Sequence, residues 1–173
     1  MVELSGVSFG YQSDKNVLDN LNLRMEEGRF YGLLGMNGSG KTTLLKLIAG
    51  KLFAHGGEIY VDGRNLRERD VETLQKVFML PADFIFPNMS LEQFLAIYSE
   101  FYPEFRKEVL NDCLVNFEIQ RDIKNLNQLS LGEKHKVAFS IALSLGTKIV
   151  LLDEAANGMD IPARKMFRKL LMK

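Results

Sequence analysis

Gly35-Met36-Asn37-Gly38-Ser39-Gly40-Lys41-Thr42 is the stretch from which the rest of the chain can be read. It fits the pattern G-x-x-x-x-G-K-S/T, and each residue type has a physical reason to be there. Glycines let the backbone curl so that successive N–H groups point inward at phosphate oxygens. A helix beginning near Lys41 adds the positive end of its dipole. Lys41 supplies a mobile full charge for the outer phosphates, and the Thr42 hydroxyl can ligate Mg²⁺. The bland alternative is a glycine-rich turn that merely caps a helix. The flanks favour the phosphate loop: Arg29 to Leu34 is a short apolar run of the kind a buried strand uses, and Lys41 to Ala49 carries Leu44, Leu45, Leu47 and Ile48 before stopping at Gly50 as a helix does.

Working outward, strand and turn signals fill the first third. Val2 to Phe9 mixes apolar and small residues, and Val17 to Met25 alternates apolar with polar at its end. Glu26-Glu27-Gly28 reads as a turn, and His55-Gly56-Gly57 as another, before the strand Glu58 to Val61. The middle third is helical. Leu91, Phe94, Leu95 and Tyr98 share one face, Pro103 breaks that helix, and Phe105, Val109, Cys113 and Phe117 make a second stripe. Val137, Ala138, Ile141, Ala142 and Leu145 make a third. Residues 90–146 are therefore expected to be mostly helical. Ile149 to Leu152 reads as a buried strand. Asp160 followed by Pro162 reads as the start of a last helix running to Lys173.

Two further segments carry chemistry. Asp153-Glu154 ends the aliphatic run, where α/β sheets bind ligands. Asp153 there can hold Mg²⁺ through water, and Glu154 can orient and deprotonate an attacking water. Solvated acids at a strand end are the alternative. Ser130-Leu131-Gly132-Glu133 is a capping box before a helix. Such a helix start also offers N–H groups and a hydroxyl to an anion.

Composition narrows the class. The chain has 173 residues, 46% hydrophobic and 25% charged, with 22 basic against 22 acidic side chains. One domain can bury an adequate core at this length without disulfides. Zero net charge argues against a nucleic-acid binder that works by bulk charge. The lone cysteine, Cys113, fits a reducing compartment and a small buried hydrophobe. No apolar run reaches the ~18–20 residues of a membrane span, and the N-terminus has no signal-peptide pattern. His55 in a turn and His135 after the capping box are expected to be solvated.

In order and spacing these motifs resemble the nucleotide-binding domain of ABC transporters. The matches are the phosphate loop Gly35 to Thr43, the signature Leu129-Ser130-Leu131-Gly132-Glu133, the Walker B run Ile149 to Glu154, and a D-loop at Asn157-Gly158-Met159-Asp160. The resemblance implies a P-loop NTPase of the α/β class, with a mixed or parallel core sheet, an N-terminal antiparallel β region and a helical subdomain at 90–146. It implies ATP and Mg²⁺ as ligands. Asn37, Gly38, Ser39, Gly40, Lys41, Thr42 and Thr43 would bind phosphates, Tyr11 would stack on adenine, and Thr42 and Asp153 would hold the metal. Glu154 and Lys41 would act in hydrolysis. Two such domains, identical or not, would pair head to tail, so that Ser130, Gly132 and Asp160 serve the shared nucleotide interface. Membrane-spanning subunits would be the partners, placing the chain in the cytoplasm on the inner face of the membrane. Phe101-Tyr102-Pro103-Glu104-Phe105 looks most like exporters of the ABC-2 type.

The departures set the alternatives. Ala82, with Asp83 beside it, stands where the family has a glutamine. The family continues past Lys173 through a strand that carries a switch histidine, so a single domain lacking that strand is expected to have a gap in its sheet. A nucleotide-binding module without turnover and a soluble ABC ATPase outside transport are the other readings. Phe84, Phe86 and Met89 surround two prolines; they either pack locally or form a patch that docks a membrane subunit.

Overall fold

A computed structural model describes residues 1–12 and 14–172. The chain divides into two compact units, Met1–Met79 and Leu80–Lys173.

In the first unit, four strands form one antiparallel sheet in the order β2-β1-β3-β4: β1 (Val2–Phe9), β2 (Leu18–Met25), β3 (Gly56–Val61) and β4 (Arg64–Asn65). Val2, Leu4, Val7 and Phe9 of β1 turn into the core, where Ile59 and Val61 of β3 are also buried. The alternation survives a register shift between Leu4 and Val7, at Gly6, whose φ is +60°. Gly57 belongs to β3, so the turn expected at His55-Gly56-Gly57 stops at His55. The glycine is there for closeness: a Cβ on Gly57 would lie 2.4 Å from the Gly6 carbonyl carbon and oxygen. Helix α1 (Lys41–Ile48) buries Thr43, Leu44, Leu47 and Ile48, and ends where Gly50 takes a φ of +64°. A short 3₁₀ turn (Leu66–Glu68) and α2 (Val71–Gln75), capped by Asp70, lead into β5 (Val77–Leu80), within which the boundary between units falls.

Arg29 to Leu34 is not a buried strand. It runs as irregular backbone with no ladder partner among the described residues, and Phe30, Tyr31, Leu33 and Leu34 are exposed, Leu34 to 96%. An apolar run becomes a strand only when neighbouring backbone completes its hydrogen bonds and a layer covers its face. Neither is supplied here.

In the second unit, α3 (Leu91–Phe101) starts with a capping box of Ser90 and Gln93 and stops before Pro103. Helices α4 (Lys107–Asn116) and α5 (Leu131–Ser144) pack together, with Phe117 against Phe139 at 6.0 Å between ring centroids. Cys113 is buried between Leu110 and Leu114 of the same core. Strand β6 (Ile149–Leu152) buries Leu151, and its other residues are half covered. Beyond it the Asp153 N–H donates to the Leu80 carbonyl at 3.0 Å. Helix α6 (Ile161–Leu171) closes the unit, with Asp160 accepting from the Ala163 N–H at 2.8 Å.

The segment between β5 and α3 packs locally. Phe86 is buried and Phe84 half-buried, and an aromatic row runs Phe84, Phe86, Phe94, Tyr98, Tyr102 with centroids 4.2–6.4 Å apart. Burial raises the Tyr98 and Tyr102 phenols above their ordinary pKa. Ile85, at 86% exposure, is the large apolar side chain of this loop that faces outward. No helix among the described residues is long and apolar enough to cross a membrane.

Candidate nucleotide site

The phosphate loop owes its shape to its own residues. Gly38 and Gly40 have φ values of +81° and +91°, conformations that cost a side chain about 1–2 kcal/mol. A Cβ on Gly40 would come within 3.1 Å of Val17 Cγ1 and Leu18 Cδ2. A Cβ on Gly38 would meet nothing within 4 Å, so this glycine answers to its backbone conformation and not to crowding. The Ser39 N–H donates to the Met36 carbonyl at 3.2 Å. Lys41 closes the curl: its Nζ donates to the Gly35 carbonyl at 2.8 Å and the Met36 carbonyl at 2.9 Å.

The start of α1 differs from most of its counterparts. Asp70, Ser90, Ser130 and Asp160 each cap their helix with a side-chain oxygen, whereas Gly40 has no side chain to give and α1 carries no such cap. The positive end of α1 thus has no side-chain cap, an arrangement that suits an anion. Loop, helix start and ammonium together fit a polyphosphate. Thr43 is buried, its hydroxyl 3.1 Å from that of Tyr11. Tyr11 is 62% exposed and stands edge-on to Phe9, leaving ring surface open.

In the second unit, Asp153 is buried and Glu154 exposed. Glu154 adopts a φ of +50°, a strained conformation for a residue with a side chain. Asn157 holds the turn twice: its N–H donates to the Glu154 carbonyl at 2.9 Å and its Nδ2 to Glu154 Oε2 at 2.6 Å. Arg164 Nε donates to the Met159 carbonyl at 3.0 Å. Gly132 lies against this turn, where a Cβ would sit 3.0 Å from the Gly158 oxygen.

The capping box at Ser130 forms as expected. Ser130 N–H and Oγ donate to Glu133 Oε2 at 2.9 and 2.6 Å, and the Glu133 N–H donates to Ser130 Oγ at 3.3 Å. Hydrogen bonds from the Ser130 hydroxyl and backbone hold the Glu133 carboxyl below its ordinary pKa. Ser130 and Asp160 thus both serve as helix caps here. Ala82 and Asp83 lie in an exposed turn.

His135 is not solvated. It is 3% exposed, its Nδ1 is 3.2 Å from the Ala155 carbonyl oxygen, and the Phe84 ring stands edge-on at 5.1 Å. His55 is exposed, tilted on Phe9. The signal that could have placed His135 is its spacing of three, four and seven residues from Ala138, Phe139 and Ala142, all buried.

A glycine loop with Lys41 opening a helix, and a strand followed at once by Asp153-Glu154, define the P-loop NTPase class. Comparison with known proteins narrows it. The ABC transporter family profile matches residues 18–157. ABC transporter ATP-binding protein YtrB of Bacillus subtilis (strain 168) is 30% identical over 172 residues, covering 99% of this chain and 58% of that protein. A putative ABC transporter ATP-binding protein from Pyrococcus furiosus superposes with a TM-score of 0.83 at 30% identity, over 99% of this chain and 84% of that one. The ATP-binding cassette MJ0796, solved as a dimer in a post-hydrolysis state bound to ADP and Pi, gives a TM-score of 0.83 at 26% identity, over 99% of this chain and 81% of that one. The chain belongs to the ABC transporter family, as an ATP-binding domain. It spans 58% of the length of its curated Bacillus relative.

Proposed function

We propose that this chain binds and hydrolyses ATP as the nucleotide-binding part of an ABC transporter, paired head to tail with a second such domain on the cytoplasmic side of its membrane subunits. The observation that carries the reading is the uncapped start of α1 beneath a glycine loop whose lysine donates to two neutral carbonyls. Anionic phosphate oxygens are stronger acceptors than carbonyls, so Lys41 exchanges partners when a nucleotide arrives. Tyr11 offers its exposed ring to the adenine. Thr42 and Asp153 supply the hard oxygen donors that Mg²⁺ prefers, and the ion would neutralise charge developing on the phosphates. Glu154 takes the proton of the attacking water, its carboxylate oriented by Asn157. Ser130 and Gly132 face the nucleotide of the partner domain. The Phe101 to Phe105 segment favours export through an ABC-2 type subunit.

The test is Mg-ATP binding, phosphate release and sedimentation of this chain with Lys41→Ala and Glu154→Gln. Lys41→Ala is expected to weaken binding by about 100-fold or more. Glu154→Gln keeps binding, loses turnover by about 100-fold or more, and accumulates a dimer with Mg-ATP. Binding without turnover in the unmutated chain would replace this reading with a nucleotide-binding module. Co-purification of the domain with a soluble assembly and no membrane protein would move it out of transport.

A further inference from the structure

We propose that His135 is a positioning residue: from the signature helix it holds the turn that carries Glu154, through a hydrogen bond from Nδ1 to the Ala155 carbonyl. The role assigned to Glu154 rests on the ATPase reading above; the contact does not.

The turn from Asp153 to Asp160 has an unusual problem. Glu154, at a φ of +50°, has to be kept in a left-handed conformation that its side chain disfavours, and such residues persist only where their surroundings over-determine them. Asn157 works from within the turn. His135 works from outside it, twenty residues back along the chain, on the residue immediately after Glu154. A carbonyl oxygen can only accept, so a hydrogen bond at 3.2 Å requires the proton on Nδ1. The imidazole is 3% exposed, and the Phe84 ring standing edge-on at 5.1 Å shields it, so the bond is made where water does not compete. Gly132, one turn earlier on α5, meets the Gly158 backbone of the same turn. The signature helix therefore grips the turn at two points, by contact at Gly158 and by a directed hydrogen bond at Ala155. Phe84, which touches the same imidazole, belongs to the loop where Ala82 stands in place of the glutamine usual in the resemblance. His135 thus touches both the segment after β5 and the turn bearing the proposed base.

Three measurements on the full chain test this. Imidazole ¹⁵N shifts of the unmutated protein should show Nδ1 protonated; a bare Nδ1 with the proton on Nε2 would overturn the proposal, whatever the variants do. Amide exchange of Asn157 and Met159 should then be followed in His135→Leu, which keeps apolar volume and removes the donor, and in His135→Asn, whose Nδ2 lies near the place of Nδ1. Exchange should quicken about tenfold in the leucine variant and return to within about threefold of normal in the asparagine variant. Protection across Val137 to Leu145 should be unchanged. Leucine and asparagine behaving alike, or no change at all, would sink it. In turnover, kcat should fall about tenfold for leucine with KM for ATP within about twofold, and asparagine should restore it. If the exchange pattern holds while the unmutated chain does not turn ATP over, the grip on the turn stands and the ATPase reading falls.

Discussion

Two apolar runs lead into the two halves of the proposed chemistry, and they fare differently. Ile149 to Leu152 forms a strand, buries Leu151 to 7% exposure, and delivers Asp153 to a backbone hydrogen bond with Leu80. Phe30 to Leu34 delivers the phosphate loop with no ladder partner among the described residues and leaves Leu34 at 96% exposure. Yet the loop that follows it is fully shaped, by Gly38, Gly40 and the two carbonyl contacts of Lys41. Loop geometry is local and travels with its own residues. Strand geometry is collective and needs neighbours.

Truncations and loop substitutions should separate these two kinds of order. Leu151→Ala removes buried volume from the paired run and should cost about 2–5 kcal/mol in chemical unfolding. A loss below about 1 kcal/mol would mean the two runs are equally unsupported. Gly40→Ala attacks the local order of the phosphate loop. A positive φ and a Cβ 3.1 Å from Val17 and Leu18 should lower stability by about 1–3 kcal/mol and weaken nucleotide binding with it. Wild-type stability in this variant would show that the loop is not held as described.

Ser130→Ala removes the cap of the signature helix, worth about 1 kcal/mol at neutral pH. Its pH dependence has a definite sign. The Glu133 carboxyl is held below its ordinary range, so its contribution is complete above the unfolded value near 4.5 and disappears as pH falls through the lower folded value. The gap between wild type and Ser130→Ala should therefore narrow in acid, as measured by unfolding at a series of pH values. A gap that is constant from neutral to acid would remove the carboxylate from the account. The smallest effect belongs to the exposed run: Leu34→Ser should stay within about 0.5 kcal/mol of the parent chain. A larger loss would show that Leu34 is covered in solution, and would erase the contrast.

Much of this was legible in the residues. The phosphate loop, the capping box at Ser130 and the helix starting at Asp160 depend on spacings of a few residues, which a sequence displays directly. The strand Leu18 to Met25 shows in the alternation at its end, whereas Val2 to Phe9, whose alternation is interrupted at Gly6, shows only as a mix of apolar and small residues. Arg29 to Leu34 misled because burial is a property of what lies alongside a strand, and a run of apolar residues does not reveal its neighbours. His135 misled for the related reason that its partner is a backbone carbonyl twenty residues away. A carbonyl has no letter in the sequence. Gly57 is of the same kind, since its need for a missing Cβ is set by the backbone of Gly6.

The ammonium of Lys41, resting on its own loop, also bears on ligand choice. With both carbonyls engaged, the loop acts as a weak, neutral competitor tethered at high effective concentration. Anything that displaces it has to be a distinctly better acceptor, so a monovalent anion or a bare nucleoside gains little by arriving. Every ligand that takes the ammonium meets the same competition, so only those with several anionic oxygens in reach recover the loss in full.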